Sequence, residues 1–188
     1  MRVFIGCSAK EVINKDYYKL AVDVSTMLAK RGHKLVFGGA ELGMMGKCYL
    51  TFRYEEQPVK GVAVLRDADE MAKLDLAAQE VTPTIFRRTE EIYKSSDVLV
   101  ILPGGFGTYT ELFSFIDEKR TKGDKKTIII YNFNDYYTPL LEFIRKGYRE
   151  GFIDEKDLKL IDVVKDLRSL QKVLEKVEKR NEDENNGN

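Results

Sequence analysis

The sequence predicts a single three-layer α/β domain, in which a mostly parallel sheet lies between two layers of helices. Three observations support this prediction. Short apolar runs alternate with longer amphipathic stretches, as they do in βαβ units. Two of the apolar runs end in glycine clusters, and each cluster opens an amphipathic stretch. The 188 residues suffice for one domain with a sizeable core, and no internal repeat or second-domain linker interrupts them.

The first third of the chain contains three predicted strands and two predicted helices. Apolar residues at helical spacing (Leu20, Val24, Leu28) predict the first helix, and Gly32 is a suitable C-cap for it. In chain order we predict a strand at Val3–Cys7, a helix at Tyr17–Arg31, a strand at Lys34–Phe37, a helix from about Met44 to Tyr54, and a strand at Val59–Leu65.

Residues 66–86 are the least regular part, with mixed charge and Pro83 as a breaker. The elements predicted after them are a helix at about Arg87–Ser96, a strand at Asp97–Leu102, a helix from Gly107 to about Lys122, a strand at Lys126–Tyr131, a helix at Tyr137–Tyr148, an edge strand at Leu160–Val164 and a helix at Asp166–Arg180. The domain therefore covers residues 1–180. The polar run Asn181–Asn188 predicts a disordered tail.

Charge and cysteine content restrict the function. Lys plus Arg (31) balances Asp plus Glu (31), which gives no support for a nucleic-acid or membrane-surface binder. An anionic ligand must therefore be held by a local site. One histidine and two separated cysteines, Cys7 and Cys48, predict neither a disulfide framework nor a zinc site. With no apolar stretch near the ~20 residues of a membrane span, we expect a cytoplasmic protein.

The two glycine clusters predict a binding cleft. They contain Gly38, Gly39, Gly43 and Gly46 after one strand, and Pro103, Gly104, Gly105, Gly107 and Thr108 after another. Open parallel sheets bind ligands outside the carboxyl ends of their strands. Glycine lets the backbone approach a phosphate closely, and a helix that starts there adds its free amides. One cluster alone is equally compatible with a tight turn, but two favour a cleft.

Thr108 and Glu111 have two interpretations on spacing alone. Thr-x-x-Glu at a helix start is a capping box, in which both side chains bind backbone amides. Alternatively, Glu111 lies one turn into a helix whose first amides hold a phosphate. There a carboxylate would lie near the attached sugar, where it could stabilise an oxocarbenium-like centre or activate water.

Arg87 and Arg88 also have two interpretations. Cations near a helix N-terminus are electrostatically disfavoured, so two arginines there make sense if they face an anion. Guanidinium groups match phosphate geometry. The alternative is a solvated surface pair. Both apply if Arg88 points inward and Arg87 outward.

The run from Pro103 to Glu111 matches the pattern PGGxGTxxE, and with it the sequence resembles the Lonely Guy (LOG) family. Leu35–Ala40, Gly43–Gly46 and Gly6–Ser8 resemble that family's other glycine segments, so that the likeness extends over roughly residues 1–150. The family was long named "possible lysine decarboxylases", but no lysine here stands out as a Schiff-base residue for pyridoxal phosphate.

The resemblance implies a Rossmann-like fold and a phosphoribohydrolase, which needs no cofactor or metal. Such an enzyme cleaves the N-glycosidic bond of a nucleoside 5′-monophosphate to free base and ribose 5-phosphate. By position, Glu111 and Arg88 correspond to the family's active-site glutamate and arginine. The family is usually dimeric, with sites near the subunit interface, so we expect a homodimer or higher homo-oligomer.

The substrate implied is a purine nucleoside 5′-monophosphate such as AMP, with an N6-substituted (cytokinin-type) AMP as a candidate. Ser8, Gly38, Gly39 and the amides of Gly104–Thr108 would hold its phosphate. Three departures leave the base open. Thr110 stands where plant-like members often have a glutamate before the motif glutamate. Ile85–Thr89 lacks the lysine that the family often has beside its arginine, although Arg87 supplies a second charge. Asp67–Glu80 matches the family's base-pocket segment only loosely, with Glu70 near its acidic residue.

Two other functions use the same kind of fold. A non-catalytic nucleotide or molybdenum-cofactor carrier would share the phosphate loops. An NAD-dependent dehydrogenase fits less well, because no G-x-G-x-x-G follows the first strand and Phe37-Gly38 stands where an acidic residue is expected. We assign the aromatic residues Tyr131, Phe133, Tyr136 and Tyr137 to core and interface packing.

Overall fold

The computed structural model describes residues 1–186, which form one seven-stranded sheet with helices on both faces. All neighbouring strands are parallel, and their order is β4-β3-β2-β1-β5-β6-β7. The strands are β1 (Arg2–Gly6), β2 (Lys34–Phe37), β3 (Val59–Val64), β4 (Ala78–Thr82), β5 (Val98–Ile101), β6 (Thr127–Tyr131) and β7 (Ile161–Val164). The predicted three-layer α/β fold is confirmed.

The helices follow the strands in alternation. They are α1 (Lys15–Lys30), α2 (Gly43–Tyr54), α3 (Ala68–Met71), α4 (Ile85–Ser95), α5 (Phe106–Lys122), α6 (Thr138–Arg149), α7 (Glu155–Leu158) and α8 (Leu167–Asn186). Short 3-10 turns lie at Leu65–Asp67 and Phe133–Asp135. Among residues 1–186, no helix combines the length and the apolar character needed to cross a bilayer.

The core has two halves, one on each face of the sheet. Along β1, Val3 and Ile5 pack with α1, α2 and α8, whereas Phe4 packs with α4 and α5 on the opposite face. Successive side chains of a strand point to opposite faces, so a strand covered on both faces is apolar at every position. This burial explains why the central strands read as continuous apolar runs.

The strand order places a crevice at the end of β1. From β1 the chain moves outward in one direction to β2, β3 and β4, and later returns to β5 on the other side of β1. The last pair of the β1–β5 register is Gly6 with Ile101. The loops that follow these two strands therefore leave the same edge of the sheet side by side and diverge, and open α/β sheets bind ligands at such a switch point.

Three short elements were not predicted from the sequence, and most predicted boundaries shift by one or two residues. The edge strand β4 and the helices α3 and α7 lie in segments without regular apolar spacing. β4 is exposed at four of its five positions, so it needs no apolar run. Helix α5 begins at Phe106 rather than Gly107, and α8 continues to Asn186. Residues 181–186 of the expected disordered tail are thus helical, and residues 187–188 lie outside the described residues.

Candidate active site

In the turn between β5 and α5, the carbonyl groups accept hydrogen bonds from the rest of the protein, whereas the amides have no described partner. The carbonyl oxygens of Leu102, Pro103 and Gly104 accept hydrogen bonds from the Tyr137 hydroxyl, the Ser8 amide and the Tyr136 hydroxyl. Gly105 caps α5 without help from any described side chain, and its carbonyl accepts the Tyr109 amide at 3.0 Å.

The five backbone N–H groups from Gly104 to Thr108 have no hydrogen-bond partner within residues 1–186. Buried amides are nearly always paired in folded proteins, yet Gly104 and Thr108 are buried. The positive end of the α5 dipole lies at the same place. A Cβ at Gly105 or Gly107 would meet no described atom within 4 Å, so the space over these amides is open. Free amides at a helix start are typical of anion-binding turns, and anion binding by this turn stays a prediction.

The position of the α5 N-terminus decides between the two interpretations of Thr108 and Glu111. Because Gly105 is the N-cap, Thr108 is the third residue of the helix and Glu111 the sixth. The capping-box interpretation is therefore wrong. The Glu111 side chain is buried, with 7% of the residue exposed, and points to the end of β1. A Cβ at Gly6 would lie 3.3 Å from Glu111 Oε2.

Arg88 holds the Glu111 carboxylate from the side of α4. Its Nη1 lies 2.8 Å from Glu111 Oε1, and its Nε donates to the Val62 carbonyl at 3.0 Å. The guanidinium group passes over Gly38, where a Cβ would overlap Nη2. Gly38 therefore makes room for the arginine. Like the carboxylate, Arg88 is buried, with 8% of the residue exposed.

Burial and the ion pair act in opposite directions on Glu111. Burial raises the pKa of its carboxyl above the ordinary value, and the charge and hydrogen bond of Arg88 oppose that rise. Arg88 occupies one oxygen of the carboxylate and a glycine lies beside the other, so Oε2 is available to a cationic or hydroxyl-bearing group. The pair thus fits a site for a sugar ring.

Arg87 and Glu70 lie outside this buried pair. Arg87 is exposed and forms an ion pair with Glu90 at 2.8 Å, so it points outward while Arg88 points inward. Glu70 is exposed on α3 and pairs with Lys73 at 2.7 Å. α3 follows the carboxyl end of β3, on the same edge of the sheet as the site, and binding roles for both residues stay predictions.

The first glycine cluster, Gly38–Gly46, has a packing role that the sequence did not reveal. Two amides in the first turn of α2, those of Met44 and Met45, donate to the Ser8 carbonyl at 2.9 and 3.2 Å. Gly43 has φ +58°, and a Cβ on it would lie 2.6 Å from the backbone of Ala9. Unlike in α5, two amides in the first turn of α2 therefore form hydrogen bonds within the protein and are not free to bind a ligand.

Gly39, Gly46 and Ser8 complete that segment's contacts. Gly39 has φ +80° and lies against Met71, and a Cβ at Gly46 would lie 2.6 Å from the carbonyl carbon of Glu41. Ser8 donates its amide to Pro103 O at 3.3 Å, while its Oγ accepts the Lys10 amide at 3.0 Å. Ser8 thus ties the β1 loop to the anion-binding turn, and substrate contacts of these residues stay predictions.

Sequence reasoning missed the tyrosines that support the turn. Packing describes Tyr137 only in part, because its ring lies in the core while its hydroxyl donates to Leu102 O at 2.8 Å. The Tyr136 hydroxyl donates to Gly104 O at 2.6 Å. A buried tyrosine hydroxyl needs a polar partner, and this requirement could have pointed to Tyr137, although the sequence does not say which group is the partner.

Among the described residues, no three His, Cys, Asp or Glu side chains group as metal ligands.

Comparison with known proteins identifies the family. The model of the family described as "Possible lysine decarboxylase" matches residues 45–174. The chain belongs to this family, the LOG family. The LOG-family resemblance drawn from the Pro103–Glu111 run is thereby confirmed.

Two plant relatives illustrate the match. The chain is 29% identical over 175 residues to the cytokinin riboside 5′-monophosphate phosphoribohydrolase LOG3 of Arabidopsis thaliana, covering 93% of this chain and 81% of the relative. It is 30% identical over 155 residues to the probable cytokinin riboside 5′-monophosphate phosphoribohydrolase LOG4 of Oryza sativa subsp. japonica, covering 81% of this chain and 66% of the relative.

Solved structures of molybdenum-cofactor proteins share the fold of this LOG-family chain. The molybdenum cofactor carrier protein of Chlamydomonas reinhardtii superposes with a TM-score of 0.70 at 18% identity, over 94% of this chain and 96% of that chain. The molybdenum cofactor binding protein of Rippkaea orientalis superposes with a TM-score of 0.68 at 16% identity, over the same shares. At such identities the likeness establishes the fold alone.

Proposed function

We propose that this LOG-family chain is a nucleoside 5′-monophosphate phosphoribohydrolase. It hydrolyses the N-glycosidic bond of a purine nucleoside 5′-monophosphate, with N6-substituted (cytokinin-type) AMP as a candidate, to free base and ribose 5-phosphate. One observation carries the proposal: the buried Glu111–Arg88 pair lies at the helix whose first amides are free to bind an anion. The names of the plant relatives describe the same reaction class.

The phosphate is held by the turn after β5. The amides of Gly104–Thr108 bind its oxygens, and Pro103 and Ser8 keep the turn in place through their backbone hydrogen bond. Gly38 and Gly39 line the neighbouring strand end, so their lack of side chains keeps the cleft open. A phosphate bound at the start of α5 leaves its ribose near Glu111, which is less than two turns further along the helix.

The reaction breaks the bond between C1′ and the base nitrogen. The bonding electrons leave with the base, which takes up a proton, and C1′ acquires oxocarbenium character. The Glu111 carboxylate stabilises this positive charge and orients the attacking water. The water oxygen bonds to C1′ and its proton is released, so that the products are free base and ribose 5-phosphate. Arg88 favours the ionised form of Glu111 against the effect of burial.

Release of ribose 5-phosphate from a panel of nucleotides tests the proposal. We expect the wild type to release it from AMP or an N6-substituted AMP. Glu111→Gln keeps the shape of the side chain but not its charge, and it should lower turnover by about 10²- to 10⁴-fold while AMP still binds. Arg88→Ala removes the ion-pair partner of Glu111 and should also lower turnover. Arg120→Ala is its control, because Arg120 is an exposed arginine at the far end of α5, and it should retain activity near wild type. Full activity of Glu111→Gln would refute the mechanism.

The wild-type protein also separates the enzyme from a carrier. Both functions need the anion-binding turn, but only the enzyme consumes its ligand. Tight binding of a nucleotide by the wild type, without release of ribose 5-phosphate from any member of the panel, would replace hydrolysis by the carrier function.

A homodimer or higher homo-oligomer is part of the proposal. Three phenylalanines are exposed on α4 and α5, the helices that carry Arg88 and Glu111: Phe86 at 76%, Phe106 at 91% and Phe113 at 45%. Large exposed aromatic side chains are typical of protein interfaces. The cytoplasmic location and the absence of a nucleic-acid or membrane partner stay predictions.

A further inference from the structure

A chain of tyrosine hydroxyls ends on the anion-binding turn. The Tyr136 hydroxyl donates to the Gly104 carbonyl at 2.6 Å, and the hydroxyls of Tyr136 and Tyr109 lie 2.8 Å apart. A phenol has a single proton. Because Tyr136 uses its proton on Gly104, Tyr109 must be the donor in the second bond. The direction of the chain is thus Tyr109 to Tyr136 to Gly104, and each bond polarises the next.

Through the peptide between Gly104 and Gly105, the hydrogen bond from Tyr136 fixes the direction of the Gly105 N–H. A trans peptide is planar, and its C=O and N–H groups point in opposite directions. A carbonyl fixed on Tyr136 therefore turns the Gly105 N–H away from Tyr136. That N–H has no partner within residues 1–186, and Gly105 is exposed. Neither glycine has a side chain to hold this peptide plane, so the tyrosine is its restraint on that side.

We propose that Tyr136 is a positioning residue of the phosphate turn, whose hydroxyl sets the Gly104–Gly105 peptide so that the Gly105 amide faces the phosphate of the ligand. This rests on the proposed function only in that the ligand carries a phosphate. Tyr136 touches no ligand in this role. It acts through the Gly104 carbonyl.

The segment that carries Tyr136 is itself held in a restricted shape. The preceding residues, Asn134 and Asp135, have φ of 49° and 55°, a left-handed conformation that costs energy outside glycine. Lys165 and Thr138 both contact the Asp135 carboxylate, at 2.7 and 3.1 Å. A connection that maintains two such residues in succession is built to place the tyrosine that follows.

Tyr137 provides a matched control within the same segment. Its hydroxyl donates to the Leu102 carbonyl, but the next nitrogen belongs to Pro103 and carries no hydrogen. The Tyr137 bond therefore holds the turn without orienting any donor. Tyr136 and Tyr137 should differ in their effect on phosphate binding, although both bind carbonyl groups of the same turn.

Isothermal titration with AMP and with adenosine tests the proposal in the full-length protein. We expect Tyr136→Phe to weaken AMP binding about tenfold, the size of one lost hydrogen bond, and to leave adenosine binding unchanged. Tyr109→Phe, which keeps the Tyr136–Gly104 bond, should have a smaller effect in the same direction. Tyr137→Phe should lower the melting temperature and leave the ratio of AMP to adenosine affinity as in the wild type.

Several results would overturn the proposal. They are equal losses for AMP and adenosine in Tyr136→Phe, no loss at all, or the same change of the affinity ratio in Tyr137→Phe. A wild type that does not distinguish AMP from adenosine would do so as well. If the protein turns over AMP, Tyr136→Phe should raise KM more than it lowers kcat. Phosphate-dependent binding without turnover would refute hydrolysis and leave the positioning role intact.

Discussion

Gly38→Ala is a one-methyl test of the buried ion pair. The new Cβ would overlap Nη2 of Arg88, and the guanidinium group must retreat by at least about 1.2 Å to reach ordinary van der Waals separation. Arg88 cannot retreat freely, because Nε is bound to Val62 O at 3.0 Å and Nη1 to Glu111 Oε1 at 2.8 Å. A displacement of that size stretches one of these bonds beyond hydrogen-bonding distance.

Two measurements follow from this displacement. A hydrogen bond to a charged group, lost in a buried place, costs about 1.5–3 kcal/mol, so urea unfolding should show a loss of that order. A misplacement of about 1 Å in a catalytic group can lower the rate about 10²-fold, so release of ribose 5-phosphate should fall by a similar factor. The first measurement holds whether or not the protein is a hydrolase.

A double-mutant cycle tests whether the effect of Gly38→Ala is transmitted through Arg88. In an Arg88→Ala background the new methyl has no guanidinium to displace, and Gly38→Ala should cost only the small adjustment of Met45, whose flexible side chain lies 3.1 Å from the new Cβ. If Gly38→Ala costs the same stability with and without Arg88, or leaves the wild type unaffected, then Gly38 does not serve the arginine.

Two further predictions concern the helix start and the single histidine. Gly107→Ala adds a methyl in open space at the start of α5, so the free energy of unfolding should be unchanged or raised by up to about 1 kcal/mol. AMP affinity should fall, because the methyl occupies the space over the free amides. Unchanged AMP affinity would contradict the phosphate site. His33 is buried, with Nδ1 3.4 Å from the Met1 amino group and Nε2 3.1 Å from Glu178 Oε1 without hydrogen-bond alignment. Burial and the amino-terminal charge lower the pKa of His33 in the folded protein. The neutral, buried histidine therefore contributes stability above its ordinary pKa near 6.5, and this stability is lost as the pH falls through the lowered pKa of the folded state. A fall in pH from 7.5 to 5 should therefore lower the melting temperature of the wild type more than that of His33→Gln, as thermal unfolding would measure. Equal falls in melting temperature would exclude this role of the histidine.

The fold was predictable because its information is local. Central strands covered on both faces must be apolar throughout, and the helices between them must be amphipathic, so their alternation is visible along the chain. The edge strand β4 escaped prediction for the opposite reason, since it is largely exposed and has no apolar run. The last turns of α8 escaped because polar residues can extend a helix whose preceding turns are held by the core, here through Leu170, Leu174 and Val177.

The sequence by itself determined that a glycine turn joins a buried strand, β5 of the structure, to a helix. It also predicted an anion site at this turn, with Glu111 and Arg88 as candidate active-site residues. The glycines, the threonine and the carboxylate are all contained in nine consecutive residues. It could not decide whether Thr108 and Glu111 form a cap, because that depends on where the helix begins by a shift of a few residues.

Tertiary structure decided which groups meet. Arg88 and Glu111 are 23 positions apart in the chain, and their 2.8 Å contact exists because β5 lies beside β1 and α4 packs near α5. The two glycine clusters look alike in sequence, but the first packs against protein backbone while the second keeps its amides free. The difference arises because the Ser8 carbonyl accepts two amides of α2, whereas no described acceptor reaches the amides of Gly104–Thr108. Such long-range hydrogen bonds leave no periodic pattern in a sequence.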